Sequence, residues 1–213
     1  MNSNSAIIYV VDDDVSVCRA LALLLKSHGF KVETFIRAAS FLAFKHPMVP
    51  SCLILDIRLP NINGFALQEA MTRRGIATPI IFITGYGDIP MSVKAMKAGA
   101  IDFLCKPFTE KKLLNAITLA ISRSKTQNKK QAEIAKIKRR IKTLSPRELE
   151  VFRFVAQGML NKQIASKRGT ALQTIKVHRG RVMQKMQAKT VTELIHLAQK
   201  AGITSPQHQT TYV

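Results

Sequence analysis

Five short runs rich in β-branched and aromatic residues punctuate the first half of the chain: AIIYVV at 6–11, KVETF at 31–35, SCLILD at 51–56, PIIFIT at 79–84 and DFLC at 102–105. Their lengths and composition predict strands. Between them, apolar positions recur at helical spacing. In 15–27 they fall at 18, 21, 22, 24 and 25, and the pattern stops at His28-Gly29. Segments 64–74 and 90–98 stop likewise at Gly75 and Gly99. Near-continuous apolar strands alternating with helices predict five β-α units. The expected fold is a doubly wound, flavodoxin-like α/β domain with a five-stranded parallel sheet, over 1–122.

Past residue 122 the strand signals cease. Residues 123–142 contain nine Lys/Arg, one Glu (Glu133) and neither Pro nor Gly. Ile134, Ile137, Ile141 and Leu144 recur at spacings of 3, 4 and 3, a short heptad-like stripe. This segment is expected to be a helical linker, continuing a helix that starts near Thr109; a merely solvated basic helix is the other reading of its stripe. From 143 to 204 every pattern is helical. Ser145, Pro146 and Glu148 form a capping box that opens a helix burying Leu149, Phe152 and Val155 and ending at Gly158. A short helix over 161–167 is followed by a turn at Gly169, a third helix over 172–186, and a last one opened by a Thr190/Glu193 capping box. Residues 205–213 read as a frayed tail.

Charge sharpens this division. Residues 1–122 carry 13 Lys/Arg against 9 Asp/Glu, and residues 123–213 carry 20 against 4, so most of the formal +20 sits in the second half. Such an excess points to a polyanion, nucleic acid first. No apolar run is long enough to span a bilayer, and the N-terminus has no basic stretch before its apolar run, which argues against membrane insertion and a signal peptide. The three cysteines have no metal-binding spacing and suit a reducing compartment, so a cytoplasmic protein is expected.

The acidic residues of this basic chain are clustered. Asp12, Asp13 and Asp14 follow the first strand, Asp56 ends the third, Thr84 the fourth, and Lys106 follows the fifth. In a parallel sheet, functional groups gather beyond the carboxyl ends of the strands, and the central first strand neighbours the third. Asp12, Asp13 and Asp56 are therefore expected to meet, with Thr84 and Lys106 alongside. A pair of carboxylates about 4 Å apart costs roughly 4 kcal/mol at an effective dielectric near 20. Either one carboxylate protonates or a cation sits among them, and Mg²⁺ suits an all-oxygen site with positions left for water and phosphate oxygens. An aspartate beside Mg²⁺, a lysine and a threonine hydroxyl is equipped to accept a phosphoryl group.

The segments VVDDD, LILDIRLPNINGF, ITGYGD, AMKAGAIDFLCKPF and LSPRELEVFRFVAQG…NKQIA…TIKVHRGRVMQKM occur in one order and spacing. In these the chain resembles two-component response regulators of the NarL/FixJ class, with a LuxR-type helix-turn-helix, over nearly its whole length. The resemblance implies that Asp56 is the phosphoacceptor, Asp13 a direct Mg²⁺ ligand, Asp12 a ligand acting largely through water, and the Arg58 backbone carbonyl a further one. Lys106 would pair with the phosphoryl group across a cis bond to Pro107, Thr84 would hydrogen-bond it and move on activation, and Phe103 would follow. Gly85 would leave the group room, and Tyr86 would overhang the pocket. Asp14 reads better as a solvated residue opening the first helix, and Cys105 as a small buried thiol. The implied partners are a sensor histidine kinase, double-stranded DNA, RNA polymerase and a second copy after phosphorylation, recruited through the face of 90–98 and the last strand. The reading is of a regulator rather than an enzyme.

Helices 161–167 and 172–186 around Gly169 read as a helix-turn-helix whose second helix enters the major groove. Leu172, Ile175, Val182 and Met186 are expected to face the core. On the other face Lys176 and Val177 are expected at base edges, and Thr174, His178, Arg179 and Arg181 mainly at phosphates. The chain departs from the family pattern twice: Arg168 stands where a Leu is usual before Gly169, and Ala171 where a Ser usually caps the helix, with Thr170 as a substitute cap. Two rival readings differ in chemistry. A haloacid-dehalogenase-like phosphatase would need a D-x-D motif, which Asp12 and Asp14 supply formally, but Val15 and Ser16 break what should follow. A phosphorylation-independent DNA-binding scaffold would not need the complete pocket.

Overall fold

The computed structural model describes residues 6–203, so the expected tail at 205–213 lies outside the described residues. The chain forms two compact units that divide between Lys129 and Lys130.

The N-terminal unit is built on five parallel strands: β1 (Ile7–Val11), β2 (Lys31–Phe35), β3 (Ser51–Asp56), β4 (Ile80–Thr84) and β5 (Asp102–Cys105), in the order β2-β1-β3-β4-β5. Helices α1 (Val15–Ser27), α2 (Ala38–Ala43), α3 (Gly64–Arg73) and α4 (Ile89–Lys97) connect them, and α5 (Glu110–Ile141) follows β5. The central strands β1, β3 and β4 are apolar except at the strand ends Ser51, Asp56 and Thr84, because both sheet faces are covered. The two-residue period divides them between two cores. Ile8, Val10, Cys52, Ile54, Ile81 and Ile83 pack with Leu21 and Leu25 of α1 and Leu113 and Ile117 of α5. Tyr9, Val11, Leu53, Leu55, Ile80 and Phe82 pack on the other face with Phe41 of α2, Leu67 and Met71 of α3 and Ala95 of α4.

Helix starts follow local chemistry. Asp14 caps α1, its carboxylate accepting from the Ser16 and Val17 N–H groups at 2.7 and 3.4 Å, which is the helix-opening role read for it. Asn63 caps α3, and Gly64 opens it because a Cβ there would lie 2.8 Å from the Asp56 carbonyl oxygen. That close approach brings the start of α3 up to the end of β3, where the acidic cluster lies.

The C-terminal unit packs the end of α5 with α6 (Pro146–Ala156), α7 (Asn161–Arg168), α8 (Leu172–Met186) and α9 (Val191–Lys200). The Ser145/Glu148 capping box is complete: Ser145 Oγ accepts from Glu148 N–H at 3.3 Å, and Glu148 Oε2 accepts from Ser145 N–H at 2.8 Å. The second box is only half formed. Thr190 accepts from Glu193 N–H, but the Glu193 carboxylate accepts from Lys189 N–H. The core contains Phe152, Val155, Ile164, Ile175, Val182, Met186, Leu194 and Ala198, together with Ile137 and Leu144 of the isoleucine stripe, against which Ile141 also packs. Three of the stripe's four positions therefore pack in this unit's own core. Arg140 reinforces it, donating to the Met186 carbonyl at 3.1 Å and to the Gln187 side chain at the C-terminal end of α8. Among the described residues no helix is long and apolar enough to cross a membrane.

Candidate functional site

Strand register assembles the acidic cluster. Val11 pairs with Leu55 across β1 and β3, so Asp12 and Asp56, the next residues, emerge side by side. Asp56 pairs with Ile83, which places Thr84 one residue further along β4, and the Lys106 N–H donates to the Thr84 carbonyl at 2.7 Å. Carboxylate oxygens of Asp12, Asp13 and Asp56 lie within 4.8 Å of one another, with Asp12 and Asp56 buried and Asp13 exposed.

Each buried carboxylate has fixed partners. Asp12 Oδ1 accepts from the Asp14 N–H at 3.0 Å, and Oδ2 from Lys106 Nζ at 2.7 Å. Asp56 Oδ2 accepts from the Arg58 N–H at 3.2 Å, and Oδ1 lies 3.5 Å from Lys106 Nζ. Burial pushes the Asp56 carboxyl above its ordinary range; the Lys106 charge pulls it back, and the Asp12 charge adds to the rise. Burial works against the Lys106 ammonium too, but the hydrogen bond and charge of Asp12, then Asp56, outweigh it and raise its pKa. Lys106 thus stands where a cation is needed between two carboxylates, and the bond from it to Pro107 is cis.

The mouth of the pocket is formed by the loop after β4. Thr84 is fully buried, and its hydroxyl is engaged within its own turn, donating to the Tyr86 carbonyl and accepting from the Tyr86 N–H. Tyr86 is 71% exposed, with the Arg58 guanidinium 4.4 Å from its ring centroid. This cation–π contact ties the loop after β4 to the loop after β3. Gly85 has open space around the position a Cβ would take, whereas a Cβ at Gly87 would lie 2.5 Å from Cys105 Sγ and 2.9 Å from the ring of half-buried Phe103. Gly87, the second Gly of TGYGD, is held to a glycine by side chains of β5 that no local sequence pattern marks. Cys105 is exposed rather than buried, because β5 is the edge strand and its last residue turns outward.

In the C-terminal unit, α7 and α8 meet around Gly169, which adopts the left-handed conformation (φ 57°). Ile175, Val182 and Met186 face the core as expected, but Leu172 is 42% exposed. It is the first residue of α8, and helical side chains lean toward the N-terminus, so Leu172 projects beyond the packed turn. Gln173, Thr174, Lys176, Val177, Gly180 and Arg181 form an exposed face. His178 and Arg179 are half-buried, and Arg179 Nη1 donates to Asn161 Oδ1 at 2.6 Å, tying α8 to the start of α7. No side chain caps α8, so Thr170 does not replace the missing Ser.

Comparison with known proteins agrees with both halves. Residues 8–118 match the model of the response regulator receiver domain, and residues 142–198 that of bacterial regulatory proteins of the luxR family. Nodulation protein W of Bradyrhizobium diazoefficiens is 44% identical over 211 residues, covering 99% of this chain and 93% of that protein. Transcriptional regulatory protein FixJ of the same organism is 40% identical over 196 residues, covering 92% and 96%. The solved structure of response regulator StyR superposes with a TM-score of 0.75 at 43% identity, covering 92% of this chain and 99% of that one.

Proposed function

The chain belongs to the response regulators that join a receiver domain to a LuxR-type DNA-binding domain, a family of phosphorylation-controlled transcriptional regulators, and we propose that Asp56 is the residue through which it is controlled. The observation that carries this is the asymmetry of the pocket. Asp12 has both oxygens engaged at 3.0 Å or less, whereas Asp56 Oδ1 has only the longer 3.5 Å approach of Lys106. Asp56 therefore offers the available nucleophilic oxygen, at the centre of groups that can neutralise the incoming charge.

In the proposed reaction, Asp56 Oδ1 attacks the phosphorus of a phosphohistidine on the sensor kinase. The P–N bond breaks, its electron pair leaves with the imidazole, and an acyl phosphate remains. The three clustered carboxylates fit an octahedral all-oxygen cation, so Asp13 and Asp56 would hold Mg²⁺ directly, Asp12 largely through water, with the Arg58 backbone carbonyl as a further ligand. When bound, the metal supplies neutralising charge to the equatorial phosphoryl oxygens. Lys106 would transfer part of its interaction from Asp12 and Asp56 to those oxygens. Thr84 would leave the Tyr86 turn to donate to them, and Phe103 would follow into the space vacated. Gly85 leaves the group room.

The proposed organisation is a receiver over 1–122, a basic helical linker over 123–142 and a DNA-binding domain over 143–204. Lys176 and Val177 would read base edges, with Thr174, His178, Arg179 and Arg181 at phosphates. We place the protein in the cytoplasm, as a regulator without turnover of its own. Phosphorylation would bring two copies together through α4 and β5, where Val93 and Met96 are about half exposed, and the bound pair would engage RNA polymerase.

Intact-mass measurement after incubation with acetyl phosphate and Mg²⁺ tests the assignment. One phosphoryl group should be gained, only with divalent metal, and not by Asp56→Asn. A gain that survives Asp56→Asn would refute it.

A further inference from the structure

Beside the exposed face of α8 the C-terminal unit holds an open cleft of about 290 Å³. Arg147 and Glu150 of α6 line one side, Arg168 and Thr170 the α7–α8 turn, and Thr174 and His178 the first half of α8. Glu150 organises it, pairing through Oε1 with Arg168 at 2.9 Å and through Oε2 with Arg147 at 3.5 Å. A guanidinium carries five donors, so each arginine keeps most of its donors free of this pairing. Two guanidiniums against one carboxylate leave the cleft positive. His178 Nδ1 is buried without a hydrogen-bond partner. Ala171 brings no side-chain acceptor to the first turn of α8, where the Thr174 N–H turns to the Ala171 carbonyl instead at 3.0 Å.

We infer that this cleft seats a backbone phosphate of bound DNA, with Arg168 supplying the guanidinium fork and Glu150 holding it in place. The inference rests on the DNA-binding reading and adds to it a contact outside the recognition helix. Thr174 joins the two, since it lines the cleft and lies on the same exposed face as Lys176 and Val177. In a helix-turn-helix the first helix crosses the backbone while the second enters the groove, so the end of α7 and the turn after it lie close to phosphates. Arginine is the side chain whose planar fork matches a phosphate. Of the two departures from the family pattern, Arg168 is the one that lines the cleft, and a Leu there would offer it no charge. An occupant held this close to the base-reading face, in a cleft open to solvent, is a phosphate of the same duplex.

Phosphate-ethylation interference with the full-length protein, on a site selected from random DNA, tests this. The wild-type protein should show interference at a phosphate flanking each half-site, and Arg168→Leu should lose it there alone. The log–log salt slope should become shallower by about 0.9 for each DNA-binding domain engaged. Arg168→Gln, which keeps a polar side chain, should lose the same phosphate and guards against a folding defect in the first variant. Unchanged interference and slope in both variants would overturn the inference. Inorganic phosphate is tested separately on the free protein. A thermal shift that Arg168→Leu abolishes, with unchanged interference on DNA, would assign the cleft to a free anion and overturn the DNA assignment.

Discussion

Replacing Lys106 by Met should destabilise the N-terminal unit strongly without Mg²⁺ and weakly with it. Lys106 Nζ lies 2.7 Å from Asp12 and 3.5 Å from Asp56. At an effective dielectric of about 20 these pairs attract by roughly 6 and 5 kcal/mol, while two carboxylates whose oxygens lie within 4.8 Å of each other repel by at least about 3 kcal/mol. Part of the attraction is offset by the cost of taking the ammonium out of water. The side chain keeps 26% exposure, so the net loss should fall at the low end for breaking a buried pair, about 3 kcal/mol. A divalent cation at the same carboxylates replaces the missing charge. At a metal concentration about 100 times its Kd, binding restores about 2.7 kcal/mol. The variant, having lost the competing ammonium, should bind Mg²⁺ more tightly than the wild type. Hydrogen exchange read by mass spectrometry on peptides from β1 and β3, in EDTA and in Mg²⁺, isolates this unit from the other. A loss of equal size with and without metal would refute the claim that Lys106 and the metal share one job.

Three further outcomes follow from the geometry. Tyr86→Ala removes the ring beside Arg58 and should change the autodephosphorylation rate without abolishing phosphorylation; an unchanged rate, followed by intact mass over time, would show that the ring does not restrict water. The Lys185 hydrogen bond, then the Ser145 N–H, hold the buried Glu148 carboxyl below its ordinary range. Its contribution is therefore fully present above the unfolded-state value and is lost as pH falls through the lower folded-state value. The thermal midpoint of the C-terminal unit should drop across that acid window, and Glu148→Gln should flatten the drop. Arg179→Ala should cost about 1 kcal/mol through the lost Asn161 bond and weaken all DNA sequences alike, whereas Lys176→Ala should leave stability unchanged and relax preference at particular base pairs, as parallel melts and binding-site selections would reveal.

The parallel sheet and its pocket were legible because period, register and chemistry agree. Apolar runs ending in Asp12, Asp56 and Thr84 could only place those groups together once the strands were parallel and β1 lay beside β3. The features that escaped depend on what lies across a fold rather than along a chain. α2 is six residues long, too short to show a helical period. Gly87 is required by Phe103 and Cys105 on another strand. Cys105 follows three strand-like residues, and nothing local marks β5 as the edge. The isoleucine stripe of α5 has one sequence pattern for several partners, and its partner proved to be the core of the C-terminal unit. Arg168 and Ala171 were visible as departures, but the cleft beside them exists only once α6 packs on the α7–α8 turn.

We propose that Asp56 controls DNA binding by the second domain. The most direct measurement is a fluorescence-anisotropy titration of one DNA site, selected from a random pool, by wild-type protein and Asp56→Asn. Each is titrated with and without acetyl phosphate in Mg²⁺. Acetyl phosphate should tighten binding by the wild type and leave Asp56→Asn unchanged. The same tightening in both proteins would contradict it.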